Sequence, residues 1–415
     1  MAIGYACICL GDHNRMKSLR LSDATDEKLD SICSHNLDVL ESNILYNIRN
    51  GIMLYRISSD LFPLATHDQV SFDWRRRYRT RLDEIRKLIT DTGTRVSMHP
   101  GQYTVLNSIS SPVRDKAVKE IDYHSELLSY LTVDDKAPVI MHAAAAGKDL
   151  RAAMTRFRYG FSLLSDDSRK RLCVENDEKA FSAEGIYELA CDMGVPAIYD
   201  NLHNQVNPSF DLSDAEIIGI FSGTFSGRKQ KIHYSQQNQY RKEGAHSLTI
   251  MHREFMEFYR SLRGDKPDIM LEVKDKDLSC IKCISCAADN TGRKYAEWAK
   301  YKYFAMERDI SAYHSISGMF SEGSFSYAGF YDIIENLVQK KAGSDGAVNT
   351  LLHVWGYFKK TAGDDEKRIF FSYLERFRKG SMRITAVKRY LLSLAVKYDV
   401  RYLLDSIYFI SDIYD

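Results

Sequence analysis

Six short apolar runs in this chain end in, or carry, a residue able to hold a proton or a metal. "RVSMH" ends at His99, "APVIMH" at His142, "RLCVE" at Glu175 and "PAIYD" at Asp200, with His203 three residues on. "KIHYS" carries Lys231 and His233, and "DIMLEV" carries Glu272. His246 lies in the polar stretch after "KIHYS", and His67 in the one after "IMLYRIS". Singly, each has an ordinary reading: such a His packs and such a Glu pairs with a cation. Together they are different. Several buried carboxylates without partners would cost several kcal/mol per ion. Divalent ions remove that cost. Imidazole with carboxylate suits zinc, manganese or iron(II), and the donors are too many for one ion, so two or three are expected. Clustered ions joined by carboxylates suit phosphodiester hydrolysis. No Ser–His–Asp arrangement or glycine-rich phosphate loop competes.

These residues meet only if the runs that carry them converge. Eight such runs occur in about the first 275 residues, close to the ~250 typical of a (β/α)8 barrel. They are "IGYACICL", "IMLYRIS", "TRVSMH", "APVIMH", "RLCVEN", "PAIYD", "KQKIHYS" and "DIMLEV". Short continuous apolar runs fit strands buried on both faces of a parallel sheet. Helical patterns separate them. "WRRRYRTRLDEIRKLITDTG" ends on Gly93, a natural C-cap; "SPVRDKAVKEIDYHSELLSYL" starts with Ser111 as N-cap and Pro112 at the first helical position; "SAEGIYELACDMG" runs from Ser182 to Gly194. The fold class is therefore α/β, a (β/α)8 TIM barrel, whose functional groups gather at the C-terminal ends of the strands.

From about Lys294 the pattern changes. "KYAEWAKYKYFAMERDISAYHSISGMF", "YAGFYDIIENLVQKKAG", "AVNTLLHVWGYFKKTAG" and "KRIFFSYLERFRKG" are amphipathic and rich in aromatics, without proline. They predict a C-terminal all-α domain over 294–415, after a barrel domain over 1–288 and a polar link, "SCAADNTGRK".

The 415 residues are 44% hydrophobic and 27% charged, which is ordinary for a globular chain, and no apolar run is long enough to span a bilayer. "MAIGYACICLGD" has no basic segment before its apolar run, so it reads as a strand and the expected location is cytoplasmic. The formal net charge of +1 excludes a uniformly basic nucleic-acid binder. Two local runs are basic with interleaved aromatics, Trp74 to Lys87 and Gly227 to Lys242. Each alone reads as a solvated face; the pair raises the prospect of a phosphate-binding surface. Eight cysteines in a chain without an export signal read as reduced thiols. Cys280, Cys283 and Cys286 have spacing that can seed a zinc or iron–sulfur site, yet no fourth ligand stands nearby, and the i, i+3, i+6 spacing favours a buried helix.

Six stretches resemble the UV damage endonuclease family (UVDE): "LYRISSDLFP", "SMHPGQYTVLNS", "VENDE", "YDNLH", "KIHYS" and "MLEVKDKDL". They stand in family order over about residues 1–285. The resemblance implies a barrel related to endonuclease IV. It also implies an endonuclease that nicks double-stranded DNA immediately 5′ of a UV photoproduct, leaving a 3′-hydroxyl and a 5′-phosphate. It implies that His99, His142, Glu175, Asp200, His203, His233, His246 and Glu272 hold a divalent metal centre, manganese-like with three Mn2+; Zn2+ and Co2+ suit the same donors. Glu175 would bridge ions. Lys231 falls on a lysine that looks carboxylated in the family, and Glu175, Lys231, His233 and Glu272 become the catalytic set. Gln102 and Tyr103 match a pair that probes the duplex where the damaged dinucleotide flips out; a poorly stacked photodimer is cheap to extrude. His67 matches a further active-site histidine, and Tyr5, Asn14 and Lys148 are expected to touch DNA or the lesion.

Two departures stand out. "HAAAAGKD" carries alanines where the family tends to have glycines, and "DNLHN" has one histidine where relatives often have two. "LLHVWGYFKK" and the helix before it resemble the YbgA-like domain of unknown function, although "RKGSMRITAVKRYLL" lacks that domain's usual proline. There His353 is expected in a helical core, with Lys359 and Lys360 solvated. Three other readings stay open: an abasic-site endonuclease of the endonuclease IV type, a sugar isomerase on the same barrel, and a non-catalytic DNA-damage sensor. "HPGQY" and "KIHYS" favour the first-named family.

Overall fold

The computed structural model describes residues 1–144, 149–288 and 291–414. All eight apolar runs form strands: β1 (Ile3–Ala6), β2 (Leu54–Ile57), β3 (Arg95–Met98), β4 (Val139–His142), β5 (Leu172–Glu175), β6 (Ala197–Asp200), β7 (Lys231–Tyr234) and β8 (Asp268–Leu271). They pair in sequence order, all parallel, and β8 closes on β1 through Ile3↔Ile269, Gly4↔Met270 and Tyr5↔Leu271. The expected barrel is the observed one.

Side chains alternate along a strand, so residues two apart share a face. Ile140, Cys173 and Ile198 form one buried apolar cluster with Phe225. Two residues further along the same strands stand His142, Glu175 and Asp200. Ala6, Leu54 and Met270 form another cluster, and Arg56 and Glu272 follow Leu54 and Met270 by two residues. An apolar layer therefore supports a polar one. Contacts between non-neighbouring strands confirm which face is interior. The Arg95 guanidinium on β3 donates from Nη2 to Asp268 Oδ1 on β8 at 2.6 Å, and Lys231 on β7 reaches Ser97 on β3.

The connecting helices follow their sequence signals with two corrections. Gly93, at φ +68°, caps Arg79–Thr92 as expected. The basic stretch before it is not one helix but two, Trp74–Arg77 and Arg79–Thr92. Tyr78 interrupts them, with φ −109° and ψ 18°, and its hydroxyl is tied to Asp30 Oδ1 at 2.6 Å. The cap of Ser111–Leu131 is Ser110 rather than Ser111, which shifts Pro112 one place into the first turn, where its missing N–H still costs nothing. Ser182 caps Ala183–Met193 by accepting from the Gly185 N–H, and Gly194 ends that helix. Cys280, Cys283 and Cys286 lie on the helix Asp277–Ala288; the first two are buried, and Cys280 Sγ sits 3.6 Å from the Ile3 carbonyl. The buried-helix reading of that run holds.

The chain divides into two compact units: Met1–Cys9, His13–Ile250 and Glu257–Ile281 in one, and Leu10–Asp12, Met251–Met256 and Lys282–Asp415 in the other. The second is helical. Its core joins Tyr303, Met306, Leu351, Val354, Trp355, Phe358 and Phe370, with Trp355 and Phe370 stacked at 4.5 Å. His353 is exposed, not in the core as expected. On Ser344–Trp355 the inward stripe is Leu351, Val354 and Trp355, and His353 falls between those turns. Lys359 and Lys360 are exposed, as expected. Among the described residues no helix is long and apolar enough to cross a membrane.

Close approach of β1 and β2 depends on Gly4, where an added Cβ would lie 2.1 Å from the Leu54 carbonyl oxygen. Gly4→Ala should therefore destabilise the barrel by about 1–3 kcal/mol, the usual size of an overpacking penalty. A lower urea midpoint at unchanged slope is the expected readout.

Candidate metal centre

Glu175, at the last position of β5, is 1% exposed and lies among imidazoles. Its Oε1 accepts from His233 Nδ1 at 2.7 Å, and its Oε2 lies 3.2 Å from His99 Nε2 and 3.8 Å from His142 Nε2. His203 Nδ1 is 3.7 Å from Oε1. Three groups of donor atoms, each within 4.8 Å of one another, share this carboxylate: His99, His142 and Glu175; Glu175, Asp200 and His203; Glu175, His233 and Glu272. His246 Nε2 stands 3.9 Å from Glu272 Oε2 at the edge of the same cluster.

The strand ends place these groups, and local hydrogen bonds fix them. Asp200 ends β6 and caps the helix Asn201–Val206 by accepting from the His203 N–H at 2.9 Å. One turn of helix thus delivers His203 to the same mouth. Asn176, directly after Glu175, clips β5 to β6: its Nδ2 donates to the Asp200 carbonyl at 3.0 Å and its Oδ1 accepts from the Asp200 N–H at 2.8 Å. The Asn176 carbonyl also holds His203 Nδ1 at 2.9 Å.

The electrostatics follow from burial and proximity. Burial alone would raise the Glu175 carboxyl, but His233 and His142 hold it well below the usual carboxylate range. Burial likewise opposes ionisation of Glu272, and Arg56 and His233 reverse it. Burial lowers His142. His203 is the opposite case: burial opposes its charge, but Asp200, Glu175, Glu272 and Glu178 raise it to about 9. Lys231 is pushed down to about 7 by burial and by Arg56.

These residues fit divalent cations by a test internal to the fold. His142 Nδ1, Asp200 Oδ2 and His233 Nε2 are buried without a hydrogen-bond partner. Buried polar atoms are rarely left so; the carboxylate oxygen carries lone pairs, and a neutral imidazole has one ring nitrogen able to bind an ion. Imidazole nitrogens with carboxylate oxygens form the donor set of a zinc, manganese or iron(II) site.

The other expected site residues separate into those near the mouth and those elsewhere. Lys231 stands two residues before His233, inside the barrel, with Nζ donating to Ser97 Oγ at 2.5 Å. Gln102 and Tyr103 form an exposed turn beyond β3, with Tyr103 85% exposed. Asn14 is exposed in the segment after β1. His67 is half-buried; its Nδ1 accepts from the Gln69 N–H, and it lines a surface pocket with Lys116 and Lys119. Tyr5 does not fit the expected role. It is 0% exposed and its hydroxyl donates to Asn47 Oδ1 at 2.8 Å on the helix Asp26–Arg49. Gly4 and Ala6 occupy the alternate positions, so Tyr5 points to the helix layer and offers a lesion no surface. Lys148 lies outside the described residues.

Sequence reasoning missed Arg56. Its Nη1 donates to Glu272 Oε1 at 2.6 Å, both side chains being nearly buried. The signal was present: Arg56 follows Leu54 by two on β2, as His142 follows Ile140 on β4. Asn176 was missed because its work is done through strand pairing, which the sequence does not display. Arg56→Met strips Glu272 of its cation and should destabilise the chelator-treated protein by about 3–5 kcal/mol, the cost of leaving a buried charge unpaired. Thermal unfolding in chelator checks this, and Arg56→Lys should recover part of the loss.

Comparison with known proteins places this geometry. Residues 4–293 match the family model "UV-endonuclease UvdE", and residues 302–411 match a protein of unknown function (DUF1722). A UV DNA damage endonuclease of Clostridium perfringens is 38% identical over 318 residues, 74% of this chain and 77% of that one. One from Bacillus velezensis is 28% identical over 288 residues, 67% of this chain and 90% of its own. The crystal structure of SacUVDE superposes with a TM-score of 0.66 at 31% identity, covering 69% of this chain and 97% of that one. The family model spans well over half the chain, and the barrel it describes carries the buried donor cluster at its mouth: this chain belongs to the UV-endonuclease UvdE family of DNA repair endonucleases.

Proposed function

We propose that this chain hydrolyses the phosphodiester immediately 5′ of a UV photoproduct in double-stranded DNA, with divalent metals at the barrel mouth and the damaged dinucleotide flipped out of the helix. The observation that carries the reading is Glu175, one buried carboxylate common to three donor groups. Such a junction suits a multi-ion centre that Glu175 would help to hold.

In this reading His99, His142, Glu175, Asp200, His203, His233, His246 and Glu272 hold the ions, three in number and manganese by preference. Bound there, the ions supply Lewis-acid charge for an in-line displacement at phosphorus. The chain's own groups orient and balance that charge. Arg56 keeps Glu272 ionised, and Asn176 holds Asp200 and His203 in place. Burial and Arg56 push the Lys231 amine down to about 7, so its neutral form can add CO2 as a carbamate with release of a proton, and its place two residues before His233 suits a further anionic ligand. A water oxygen bonds to phosphorus as the P–O3′ bond breaks, and the 3′-oxygen takes up a proton. The products are a 3′-hydroxyl and a 5′-phosphate.

Lesion selection falls to Gln102 and Tyr103. Their exposed turn follows β3 three residues after His99, which supports a role for the phenol and the amide at the mouth. A flat ring and a flat amide fill a vacated stack and hydrogen-bond the orphaned bases. Photodimers unstack at low cost, which biases extrusion toward damage. Asn14 and His67 are secondary contacts in this scheme.

The test is incision of a labelled duplex carrying one cyclobutane pyrimidine dimer, beside undamaged and abasic duplexes. With Mn2+ the expected product is a single nick just 5′ of the dimer. With excess chelator no product forms, and added Mn2+ restores it. A cut at the abasic site alone supports the endonuclease IV type of activity instead, and binding of damaged duplex without any cut supports a sensor. Glu175→Gln should lower single-turnover incision by about 10³-fold, the upper range for losing one charge-organising group. Tyr103→Ala should lower incision of the dimer duplex by at least about tenfold, the rate equivalent of ~1.4 kcal/mol.

A further inference from the structure

We infer that Tyr240, Arg241 and Lys242 form a second DNA-gripping element on the rim opposite Tyr103. The inference rests on the reading of this chain as an enzyme of duplex DNA.

In a closed barrel of eight strands in sequence order, β3 and β7 are four strands apart in either direction, so their outgoing loops stand on opposite sides of the mouth. At the floor of that mouth the His99 and His233 rings face each other at 6.4 Å. The loop after β3 presents Tyr103, 85% exposed, and the loop after β7 presents Tyr240, 83% exposed. The donor cluster lies between them.

A single exposed aromatic needs no explanation. Three features set this one apart. First, its loop is tied to itself. The Asn238 N–H donates to the Ala245 carbonyl at 2.7 Å, the Gly244 N–H to Gln237 Oε1 at 2.8 Å, and the Tyr240 N–H to Asn238 Oδ1 at 3.0 Å. Gln237 and His246 close the base of the loop as an antiparallel bridge. The backbone of the tip is therefore ordered, and little entropy remains to be lost when a ligand meets it. Second, the same loop returns His246 to Glu272, so a contact at its tip is anchored to the centre. Third, its cations are free. In the other basic run Arg75 pairs with Glu126, Arg77 with Asp30, Arg81 with Asp38 and Glu41, and Arg86 with Asp83. Arg241 and Lys242 are exposed, and among the described residues no carboxylate pairs with either; Glu243 beside them offsets one of the two charges.

An exposed phenol beside two unpaired cations on an ordered loop fits a nucleic-acid backbone. The ring packs on sugar and base edges, and the cations meet phosphates. With Tyr103 on the far rim, the duplex is held on both sides of the centre.

The test is fluorescence anisotropy of the full chain with Mn2+ on an undamaged duplex, which reports binding independently of incision, as a function of salt. Tyr240→Ala should weaken binding about tenfold and Tyr240→Trp should restore it, within the range seen for aromatic contacts to bases. Arg241→Gln with Lys242→Gln should reduce the slope of log K against log salt by about 2, one for each phosphate contact. Wild-type affinity for Tyr240→Ala together with a wild-type salt slope for the double variant overturns the inference. A wild-type chain that binds duplex but cuts none would overturn the proposed reaction and leave this test standing.

Discussion

The site turns on one constraint: a carboxylate cannot be buried without hydrogen-bond donors or charge to meet it. Glu175 is closed off inside a barrel, and its two oxygens are met by His233 on one side and by His99 and His142 on the other. Burial alone would raise that carboxyl, and the imidazoles hold it low. With them it is a shared anionic centre that three groups of donors enclose. The same argument governs Glu272, which is ionised because Arg56 reaches across from β2.

The barrel makes this arrangement affordable in space. Parallel strands close into the barrel with a fixed stagger, and the period of two sends alternate residues inward, so the strand ends bring their polar residues to one mouth. Ile140, Cys173 and Ile198 fill the layer below, so the polar layer above rests on close-packed apolar side chains. Two cations reach across the same barrel, Arg95 from an exposed position and Lys231 from a buried one. Arg95 pairs with Asp268 at one level, and Lys231 donates to Ser97. The fall of the Lys231 amine to about 7 is the counterpart of the carboxylates' preference for their charged forms: burial penalises its charge, and Arg56 adds repulsion.

Charge outside the mouth follows a different rule. The arginines between Trp74 and Lys87 are mostly spent on neighbouring carboxylates, which makes that surface a network rather than an open cationic face. In the loop after β7, no carboxylate among the described residues pairs with Arg241 or Lys242. Proximity to acids, not the number of arginines in a run, decides whether a basic stretch is available to a phosphate. In the helical unit the aromatic residues have an internal use. Trp355 stacks on Phe370 within a core of leucines and phenylalanines, and buried ion pairs such as Lys388 with Glu307 at 2.8 Å lie among its helices.

Much of this protein was legible in the sequence. Short, largely apolar runs announce a sheet covered on both faces, and in a barrel the polar residues at the C-terminal ends of such runs gather at the mouth. His99, His142, Glu175, Asp200, His233 and Glu272 were found in that way, as the polar residues at or beside the ends of such runs. Glycine at 93 and 194 marked helix ends because left-handed backbone favours it. Tertiary structure decided the rest. Whether Tyr5 faced the mouth or the helices depended on strand phase, a one-residue matter that an unbroken apolar run does not encode. His353 was misplaced for a related reason, since only the packed helix reveals which stripe is inward. Arg56 and Asn176 act through partners more than 20 residues away in sequence, Glu272 and Asp200. Such pairings exist only when the sheet has closed.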